Sequence, residues 1–457
     1  MRLSYDRGTI VLEDPPATFA VAALPGVRWD PRVRVWRAPG LRHGDLRRAL
    51  SASGIAFEDR VMRHAEAPAA WLPIVLRGYQ ETALAAWELA GRRGVVAIPT
   101  GGGKTRVALA AIQRTGLRAL ILVPTRALLQ QWLGALKGWY AGPAGVLGDG
   151  ERQVEAVTVA TYESAWRHMA TLGDRFDLLV VDEAHHMGQG PRDEALEMAP
   201  ATARLGLTAT PPRDDPALDR LGQLVGPVVY ELGIGELAGS YLASYDVVHL
   251  HLALAADERA TYDAEMAHLR AALVAFRREA PCASWADFVR HAARSSDGRR
   301  AIAAWRHTRA LLALTRAKAE ALRLLLGRHR EARVLVYTAD NRTAYLIARE
   351  HLVMPLTCDI GRQEREEVLA RFRAGEIRAL VSARVLNEGI DVPDADVAII
   401  VGAAQGEREH VQRVGRLLRP APGKRALVYE LVTRGTFEVR QSRRRRLGLA
   451  ARFAPPP

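Results

Sequence analysis

A glycine-rich segment between an apolar run and a helical pattern has the residue types of a phosphate-binding loop. The apolar run covers residues 95–98, and the helical pattern covers residues 106–113. Glycine lets backbone N–H groups close around a phosphate at the N-terminus of a helix, while a lysine adds positive charge and a threonine hydroxyl can ligate Mg²⁺. The spacing therefore predicts a site for a nucleoside triphosphate and Mg²⁺, formed by Thr100, Gly101, Gly102, Gly103, Lys104 and Thr105.

Two adjacent carboxylates follow a second apolar run, residues 178–181. A carboxylate at the end of a buried strand is costly unless a positive charge compensates it, and Mg²⁺ beside the phosphates supplies that charge. We assign Asp182 to the metal, mainly through water, and Glu183 to activating the attacking water. Such a pair is also typical of a helix N-cap. Its position downstream of a phosphate loop favours the catalytic interpretation.

Three arginines recur at helical spacing in residues 412–419, namely Arg413, Arg416 and Arg419. A solvated basic helix has the same pattern, because residues three apart share one face. The alternative is that Arg416 and Arg419 reach across a cleft between two domains to the γ-phosphate, where they stabilise charge in the transition state. Hydrolysis would then require the two domains to close.

Short apolar runs that alternate with helical patterns indicate how these residues are positioned. Buried parallel strands with intervening helices produce such runs. We therefore predict an α/β fold with two doubly wound parallel-sheet domains, over residues 63–235 and 311–457. The first series of runs is 94–98, 119–123, 156–160, 178–181 and 205–208, and the second is 334–337, 379–382, 397–401 and 426–429.

Two further regions depart from this alternation. Residues 1–62 read as a small α+β domain with strands at 9–12, 34–37 and 55–57, a turn at 29–31 and a helix at 41–53. Residues 250–310 lack strand signals and carry helical periodicity, which predicts a helical insert. The basic run 443–446 and the proline tail 455–457 are predicted to be solvated, mobile ends.

The composition is that of a globular protein with a polyanionic partner. Hydrophobic residues make up 49% of the 457 residues, and 64 Lys and Arg against 51 Asp and Glu give a net charge of +13. Basic side chains favour nucleic acid, although Arg-rich codon usage produces the same excess. The two cysteines, Cys282 and Cys358, exclude a cysteine-based zinc site. Because no apolar run of about 18 residues is present, we expect a cytoplasmic protein with no membrane partner.

Seven segments in order resemble the motifs of superfamily 2 helicases: 76–80, 98–105 with an isoleucine at its first position, 124–126, 182–185, 207–211, 381–393 and 412–419. A further strand-contacting motif is expected at residues 160–162. The resemblance implies two RecA-like domains and ATP as the nucleotide. It implies that Arg77, Gln80, Gly389 and Asp391 contribute to ATP binding, and that Gln412 belongs with Arg416 and Arg419 in the catalytic group.

The finer resemblance is to the XPB-type helicases. Arg213-Asp214-Asp215 resembles the Arg-Glu-Asp element of that family, with an aspartate at Asp214 whose side chain is shorter than the family's glutamate. The insert lies where the family has its thumb, and residues 1–62 resemble its damage-recognition domain. This resemblance implies double-stranded or forked DNA as substrate, 3′ to 5′ polarity, excision repair or transcription as the setting, and a monomeric motor. A separate partner nuclease is implied as well.

The resemblance also assigns nucleic-acid contacts and coupling residues. Thr125, Arg126, Arg213, Asp214, Asp215 and Arg384 are expected at the DNA, and His185, Thr208 and Thr210 are expected to couple it to ATP. Aromatic residues have two interpretations. Trp29 and Trp36 alternate with arginines in the N-terminal domain and can stack on a base, although Trp36 can equally belong to the core. Trp285 and Phe288 read as a packing stripe.

Three other functions fit parts of this pattern. A duplex translocase or remodeller, such as a restriction-type motor, keeps the ATPase without strand separation. An RNA helicase is equally compatible with the basic charge. A non-enzymatic DNA-binding scaffold is disfavoured because Lys104, Glu183, Arg416 and Arg419 are all present.

Overall fold

The computed structural model describes residues 1–63, 68–188, 190–212, 216–237, 241, 244–383, 395–402 and 425–450. These residues divide into two compact units, one up to Glu236 and one from Leu237 onwards. Each unit has its own sheets and its own apolar core.

The first unit begins with a five-stranded sheet and one helix. Its elements are β1 (Arg2–Asp6), β2 (Thr9–Glu13), β3 (Arg28–Asp30), β4 (Val35–Pro39), α1 (His43–Ala52) and β5 (Glu58–Arg60). The strand order is β3-β4-β2-β1-β5, with β1 and β5 parallel and the other neighbours antiparallel. Apolar residues on one face of the strands pack against Leu46 and Leu50 of α1.

Two predictions for this domain are wrong in detail. Trp29 and Asp30, expected in a turn, lie in β3 and pair with β4. The last strand begins at Glu58 and does not cover residues 55–57, because Glu58 is the residue in register with Arg2 of β1. Ile55 and Phe57 instead pack against the core, so their apolar character reflects burial and not strand pairing.

An eight-stranded sheet with helices forms the rest of the first unit. Its elements are α2 (Gly78–Leu89), β6 (Arg93–Ala97), α3 (Lys104–Thr115), β7 (Ala119–Val123), α4 (Arg126–Lys137), β8 (Ala144–Gly148), β9 (Glu151–Gln153), β10 (Val157–Thr161), α5 (Tyr162–Leu172), β11 (Leu178–Asp182), α6 (Glu194–Met198), β12 (Ala203–Thr208), α7 (Pro216–Leu224), β13 (Val228–Glu231) and α8 (Ile234–Leu237). The strand order is β13-β6-β12-β11-β7-β10-β8-β9, and every pair is parallel except β8 with β9. The five predicted runs of this domain are all strands.

The second unit contains a six-stranded parallel sheet and the helical insert. Its elements are β14 (Ser244–Leu252), α9 (Ala256–Glu279), α10 (Trp285–Ala292), α11 (Ser296–Ala313), α12 (Arg316–Arg328), β15 (Val334–Tyr337), α13 (Asn341–His351), β16 (Met354–Pro355), α14 (Arg362–Ala374), β17 (Ala379–Ser382), β18 (Val397–Ile400), β19 (Arg425–Thr433) and α15 (Phe437–Ala450). The strand order is β14-β19-β18-β15-β17-β16. The predicted two-domain parallel-sheet fold is confirmed.

Strand β14 corrects the predicted start of the insert. It reaches Leu252 and pairs along its whole length with β19, so residues 250–252 belong to the second sheet and helices α9 to α11 are inserted after its first strand. The basic run 443–446 lies within helix α15, and the proline tail 455–457 lies outside the described residues. Among the helices of the described residues, every one is too short or too polar to cross a membrane.

The insert has its own small core. Phe288 of α10 is buried against Phe276 and Leu269 of α9, as the packing interpretation expected. Trp285 is 44% exposed, although its ring contacts those of Phe288 and Trp305. The predicted stripe therefore has one core member and one at the edge.

Candidate nucleotide and nucleic-acid site

The order of strands in the first unit divides the predicted motifs into two groups. The carboxyl ends of three neighbouring strands form the first group. The phosphate loop follows β6, Thr208 ends β12, and the Asp182-Glu183 pair lies at the end of β11. The ends of β7 and β10 carry Thr125, Arg126 and the segment 160–162 that was expected to contact a nucleic-acid strand, and β8 lies next to β10. Ligand sites in open parallel sheets form at the carboxyl ends of the strands, so one edge of the sheet holds both groups side by side.

The phosphate loop has the backbone conformation that its glycines permit. Gly101 and Gly103 have φ values of 85° and 78°, in the left-handed region that L side chains rarely adopt. A Cβ on Gly103 would also lie 2.4 Å from the Nε2 atom of Gln80. Lys104 and Thr105 begin helix α3, and the Lys104 ammonium group donates to the Ile98 carbonyl at 3.1 Å. The first N–H groups of α3, which lack partners within the helix, and the Lys104 cation therefore lie at the end of this loop.

Gln80 contacts this loop directly. Its Nε2 donates to the Gly102 carbonyl at 3.0 Å and its Oε1 accepts from the Arg77 N–H at 3.0 Å. The Tyr79 hydroxyl donates to the same Gly102 carbonyl at 2.8 Å. The structure brings Arg77 and Gln80 to the phosphate loop, and their contact with adenine stays a prediction.

Asp182 is a buried carboxylate at the end of β11 with a defined set of donors. Its Oδ2 accepts from the Trp132 indole N–H at 2.8 Å, and its Oδ1 accepts from the Glu183 N–H at 3.0 Å. Burial raises the pKa of Asp182, against the opposing effects of the Trp132 hydrogen bond and the charge of Lys104. A site that disfavours a lone negative charge in this way is suited to a cation.

The side chains of Asp182 and Thr105 have the oxygen atoms that Mg²⁺ prefers. Asp182 and the Thr105 hydroxyl are hard oxygen ligands of the kind that Mg²⁺ prefers beside phosphates, and the cost of burying Asp182 is what a divalent ion would offset. Asp182 and Thr105 would hold the ion, which supplies positive charge to the phosphates when bound.

Glu183 and His185 connect the carboxylate pair to the end of β12. Glu183 has a φ of 50°, and its Oε2 lies 3.5 Å from the His185 Nδ1. The same Nδ1 lies 3.0 Å from the Thr208 Oγ1, which also accepts from the Thr210 N–H at 3.1 Å. The three residues predicted to couple the two sites are therefore in one hydrogen-bonded group.

A polar cavity lies at the ends of β7, β8 and β10. It has a volume of about 510 Å³, and its lining includes Arg126, Thr161, Arg167 and His168. Arg126 begins helix α4 with its side chain 73% exposed and its Nη1 3.0 Å from the Asp149 carboxylate. Thr125 accepts from the Leu128 N–H at 3.3 Å as the N-cap of α4, so its predicted contact with a phosphate would be shared with capping.

The N-terminal domain is held to the α/β domain of the same unit. The Tyr5 hydroxyl donates to the Met169 carbonyl at 2.8 Å, and Arg63 Nε lies 2.6 Å from the Asp174 carboxylate. The buried His43 ring faces the Pro200 carbonyl at 3.2 Å through Nδ1 and the Asp59 carboxylate at 2.9 Å through Nε2.

The aromatic residues of this domain have different environments. Trp36 packs against the domain core, as one of its two interpretations held, and its ring meets that of Trp29 at 5.2 Å. Trp29 is 46% exposed and stays a candidate for base stacking.

Nine predicted site residues lie outside the described residues. They are Arg213, Asp214, Asp215, Arg384, Gly389, Asp391, Gln412, Arg416 and Arg419.

Sequence reasoning missed two side chains that contact the carboxylate pair, Trp132 and Tyr162. Trp132 follows Leu128 and Leu129 on the buried face of α4. A buried indole N–H requires an acceptor. A tryptophan on the apolar face of a predicted helix is therefore the signal from which a polar partner could have been predicted. Tyr162, which fell in a segment expected to contact a strand, is 2% exposed and turned inward.

Comparisons with known proteins agree with this architecture. Residues 3–61 match the family described as "Xeroderma pigmentosum group B helicase damage recognition domain". Residues 73–213 match "Type III restriction enzyme, res subunit", and residues 317–421 match "Helicase conserved C-terminal domain". The structure is similar to that of the Pyrococcus furiosus Hef helicase domain, with a TM-score of 0.54, 19% identity and coverage of 81% of this chain and 98% of that one. At this identity the likeness shows the fold alone.

Two similar proteins extend over most of the chain. The "DNA 3'-5' translocase XPB2" of Sulfurisphaera tokodaii is 36% identical over 447 residues, which are 97% of this chain and 99% of the relative. The "DNA 3'-5' helicase XPB" of Mycobacterium tuberculosis is 29% identical over 82% of this chain and 64% of its own. The similarity spans the N-terminal domain, both sheets and the insert, and the chain belongs to the XPB-type helicases of superfamily 2.

Proposed function

We propose that this protein uses ATP hydrolysis to move along duplex DNA and open it with 3′ to 5′ polarity, in excision repair or in transcription-coupled opening. The observation that carries the proposal is the meeting of the phosphate loop, the Asp182-Glu183 pair and Thr208 at the ends of three neighbouring strands. The printed names of the two relatives, a DNA 3′–5′ translocase and a DNA 3′–5′ helicase, support the same function.

The residues of the first unit have distinct roles in this proposal. Lys104 exchanges the Ile98 carbonyl for oxygens of the β- and γ-phosphates, while Asp182 and Thr105 hold the magnesium ion. Glu183 orients the attacking water and accepts its proton. His185 and Thr208 pass the state of the nucleotide to the segment that follows β12. These roles rest on the donor set around Asp182 and on the resemblance to the family.

The motifs at residues 381–393 and 412–419 supply the remaining roles in this proposal. Gln412, Arg416 and Arg419 stabilise charge on the γ-phosphate, and Gly389 and Asp391 contribute to ATP binding. Arg384 grips the DNA backbone from the second domain, as Thr125 and Arg126 do from the first, and Arg213, Asp214 and Asp215 act where the strands part. Phosphate contacts of this kind grip without reading sequence, as a motor requires.

The remaining proposals concern setting and partners. The N-terminal domain is a recognition surface fixed to the first helicase domain, which its contacts through Tyr5, His43 and Arg63 support. The motor is proposed to act as a cytoplasmic monomer, and cleavage of the opened DNA is assigned to a separate nuclease. Light scattering of the purified protein, alone and with DNA, tests the monomer directly.

The test of the function is ATP turnover and strand separation on a forked DNA duplex by the wild type and Glu183→Gln. Loss of a positioned general base lowers rates by about a hundredfold or more, so we expect that loss in turnover with binding of ATP and DNA retained. Glu88→Gln, at the other end of α2 from Gln80, is the matched control and should keep wild-type turnover. Full turnover by Glu183→Gln would contradict the assigned role.

A duplex translocase that does not separate strands is the second candidate. The match of residues 73–213 to a restriction-enzyme subunit favours it. Displacement of a third strand from a triplex without opening of a fork would select this candidate over a helicase. Stronger stimulation of ATP turnover by duplex RNA would instead select an RNA motor, and absence of turnover with any nucleic acid would select a scaffold.

A further inference from the structure

Trp132 and Tyr162 come from the nucleic-acid side of the sheet but bond to the catalytic carboxylate segment. Trp132 lies on α4, the helix that begins at Arg126, and its indole donates to Asp182 Oδ2 at 2.8 Å. Tyr162 is the first residue of α5. Its hydroxyl donates to the Asp182 carbonyl and, at 3.2 Å, to the Glu183 carbonyl.

These hydrogen bonds hold the side chain of Asp182 and the backbone of Glu183, on which the proposed reaction depends. Trp132 fixes the direction of the Asp182 carboxylate, since a hydrogen bond to an ionised acceptor is among the stronger ones in proteins. Tyr162 bonds to the carbonyls of Asp182 and Glu183, which flank the strained backbone of Glu183 at a φ of 50°. A residue held at positive φ keeps that conformation only where its surroundings impose it.

The helices that carry these two residues have their N-termini at the polar cavity. Arg126 at the start of α4 and Thr161 as the N-cap of α5 both line it. The strand order β11-β7-β10 places these helices beside the strand that ends in Asp182. A displacement of either helix by a ligand in the cavity is therefore carried to Asp182 and Glu183 through hydrogen bonds of buried side chains.

We propose that Trp132 and Tyr162 are positioning residues that make the placement of Asp182 and Glu183 depend on how α4 and α5 are held by DNA. This inference rests on the proposed function, because it takes DNA as the occupant of the cavity. DNA bound in the cavity holds the Asp182 carboxylate and the Glu183 backbone in the position needed for ATP turnover. The side chains of Trp132 and Tyr162 connect the DNA-bound helices to these two groups.

The test compares Trp132→Phe and Tyr162→Phe with two matched controls. Both substitutions keep a buried aromatic ring. Tyr162→Phe removes only the hydroxyl group, whereas Trp132→Phe removes the indole N–H together with part of the ring volume, a loss that the Trp87 control matches. Trp87→Phe is the control for Trp132, since the Trp87 indole is equally buried and donates to the Arg204 carbonyl at 2.9 Å. Tyr140→Phe is the control for Tyr162, since its hydroxyl accepts from the Ala69 N–H at 3.2 Å.

Two readouts separate positioning from folding. The first is the affinity for a fluorescent ATP analogue with and without Mg²⁺. We expect Trp132→Phe to lower the gain in affinity due to Mg²⁺ by about tenfold, the loss expected for one hydrogen bond to a charged group, and to leave the affinity without Mg²⁺ unchanged. The second is the ratio of ATP turnover with and without duplex DNA, which both Phe variants should lower by about tenfold while DNA affinity holds.

The outcomes distinguish this inference from the proposed function. Phe variants with the wild-type Mg²⁺ dependence and the wild-type DNA stimulation would overturn the inference alone, as would controls that lose both to the same extent. A wild type without turnover on DNA would overturn the proposed function and the inference with it. If Trp132→Phe does not fold, Tyr162→Phe decides through the ratio of ATP turnover with and without duplex DNA, because it removes a single oxygen.

Discussion

The imidazole of His185 lies against the hydroxyl of Thr208, with 3.0 Å between Nδ1 and Oγ1. This contact joins the loop after β11 to the last residue of the neighbouring β12, and both side chains are buried. The hydroxyl also accepts from the Thr210 N–H, so one oxygen contacts both the segment after β12 and the loop after β11.

Thr208→Val should uncouple strand separation from ATP turnover. Valine keeps the shape of the side chain but leaves His185 and the Thr210 N–H without this partner, a loss on the order of 1–3 kcal/mol. We expect unwinding per ATP hydrolysed to fall about tenfold while affinity for ATP holds. Thr158→Val is the control. The Thr158 hydroxyl is also buried, but it bonds to the Glu155 backbone at the start of β10, away from the ends of the strands that carry the site. Equal effects of the two variants would contradict the coupling role.

Arg126 and Asp149 should have opposite effects on the affinity for DNA. Loss of one phosphate contact lowers the slope of log K against log salt by about one, which is the expected result for Arg126→Ala. Asp149→Asn removes the carboxylate that pairs with Arg126 at 3.0 Å and should raise DNA affinity at low salt. Arg114→Ala, which breaks an ion pair with Glu81 far along α3, should change neither. The measurement is a salt titration of duplex binding.

Asp59 should make the stability of the first unit depend on acid pH. Burial alone would raise the pKa of Asp59, but the hydrogen bond and the charge of His43 outweigh it and lower the pKa. A carboxyl with a lowered folded pKa stabilises the fold above its unfolded pKa of about 3.9, and that contribution is lost as the pH falls through the folded value.

Unfolding of wild type and Asp59→Asn across acid and neutral pH measures this contribution. We expect the variant to be less stable by about 1.5–3 kcal/mol at neutral pH, the value of hydrogen bonds to a charged group. The difference should shrink below a pH of about 4. A difference that stays constant into acid would show that the carboxylate charge contributes nothing to stability.

Phe288 and Trp285 should differ in their effect on the insert. Phe288 is 2% exposed in the core between α9 and α10, so Phe288→Ala should destabilise the insert by about 3–5 kcal/mol. Trp285 is 44% exposed, and Trp285→Ala should cost about 1 kcal/mol, within the range of a surface aromatic contact. Thermal unfolding of the two variants compares them directly. A larger loss of stability for Trp285→Ala than for Phe288→Ala would contradict this prediction and would indicate that the core of the insert is centred on Trp285 and Trp305.

The strands of the two parallel sheets could be predicted because a short stretch of sequence is enough to show that a strand is buried. A strand covered on both faces reads as a continuous apolar run, and β7 and β11 are of this kind. Strand β14 was missed because its nine residues carry two histidines and an aspartate and are only partly buried. Its place in the sheet depends on pairing with β19, about 180 residues away in the sequence.

The amino-acid sequence by itself determined the phosphate loop, the adjacent carboxylates and the family, since these follow from residue types at fixed short spacings. Only the tertiary structure decided that Trp132 donates to Asp182, that Gln80 contacts Gly102 and that His43 faces Pro200. These pairs are 50, 22 and 157 residues apart. The physical reason is that a hydrogen bond between distant residues depends on the order of strands in the sheet and on the packing of the helices, which no local pattern contains.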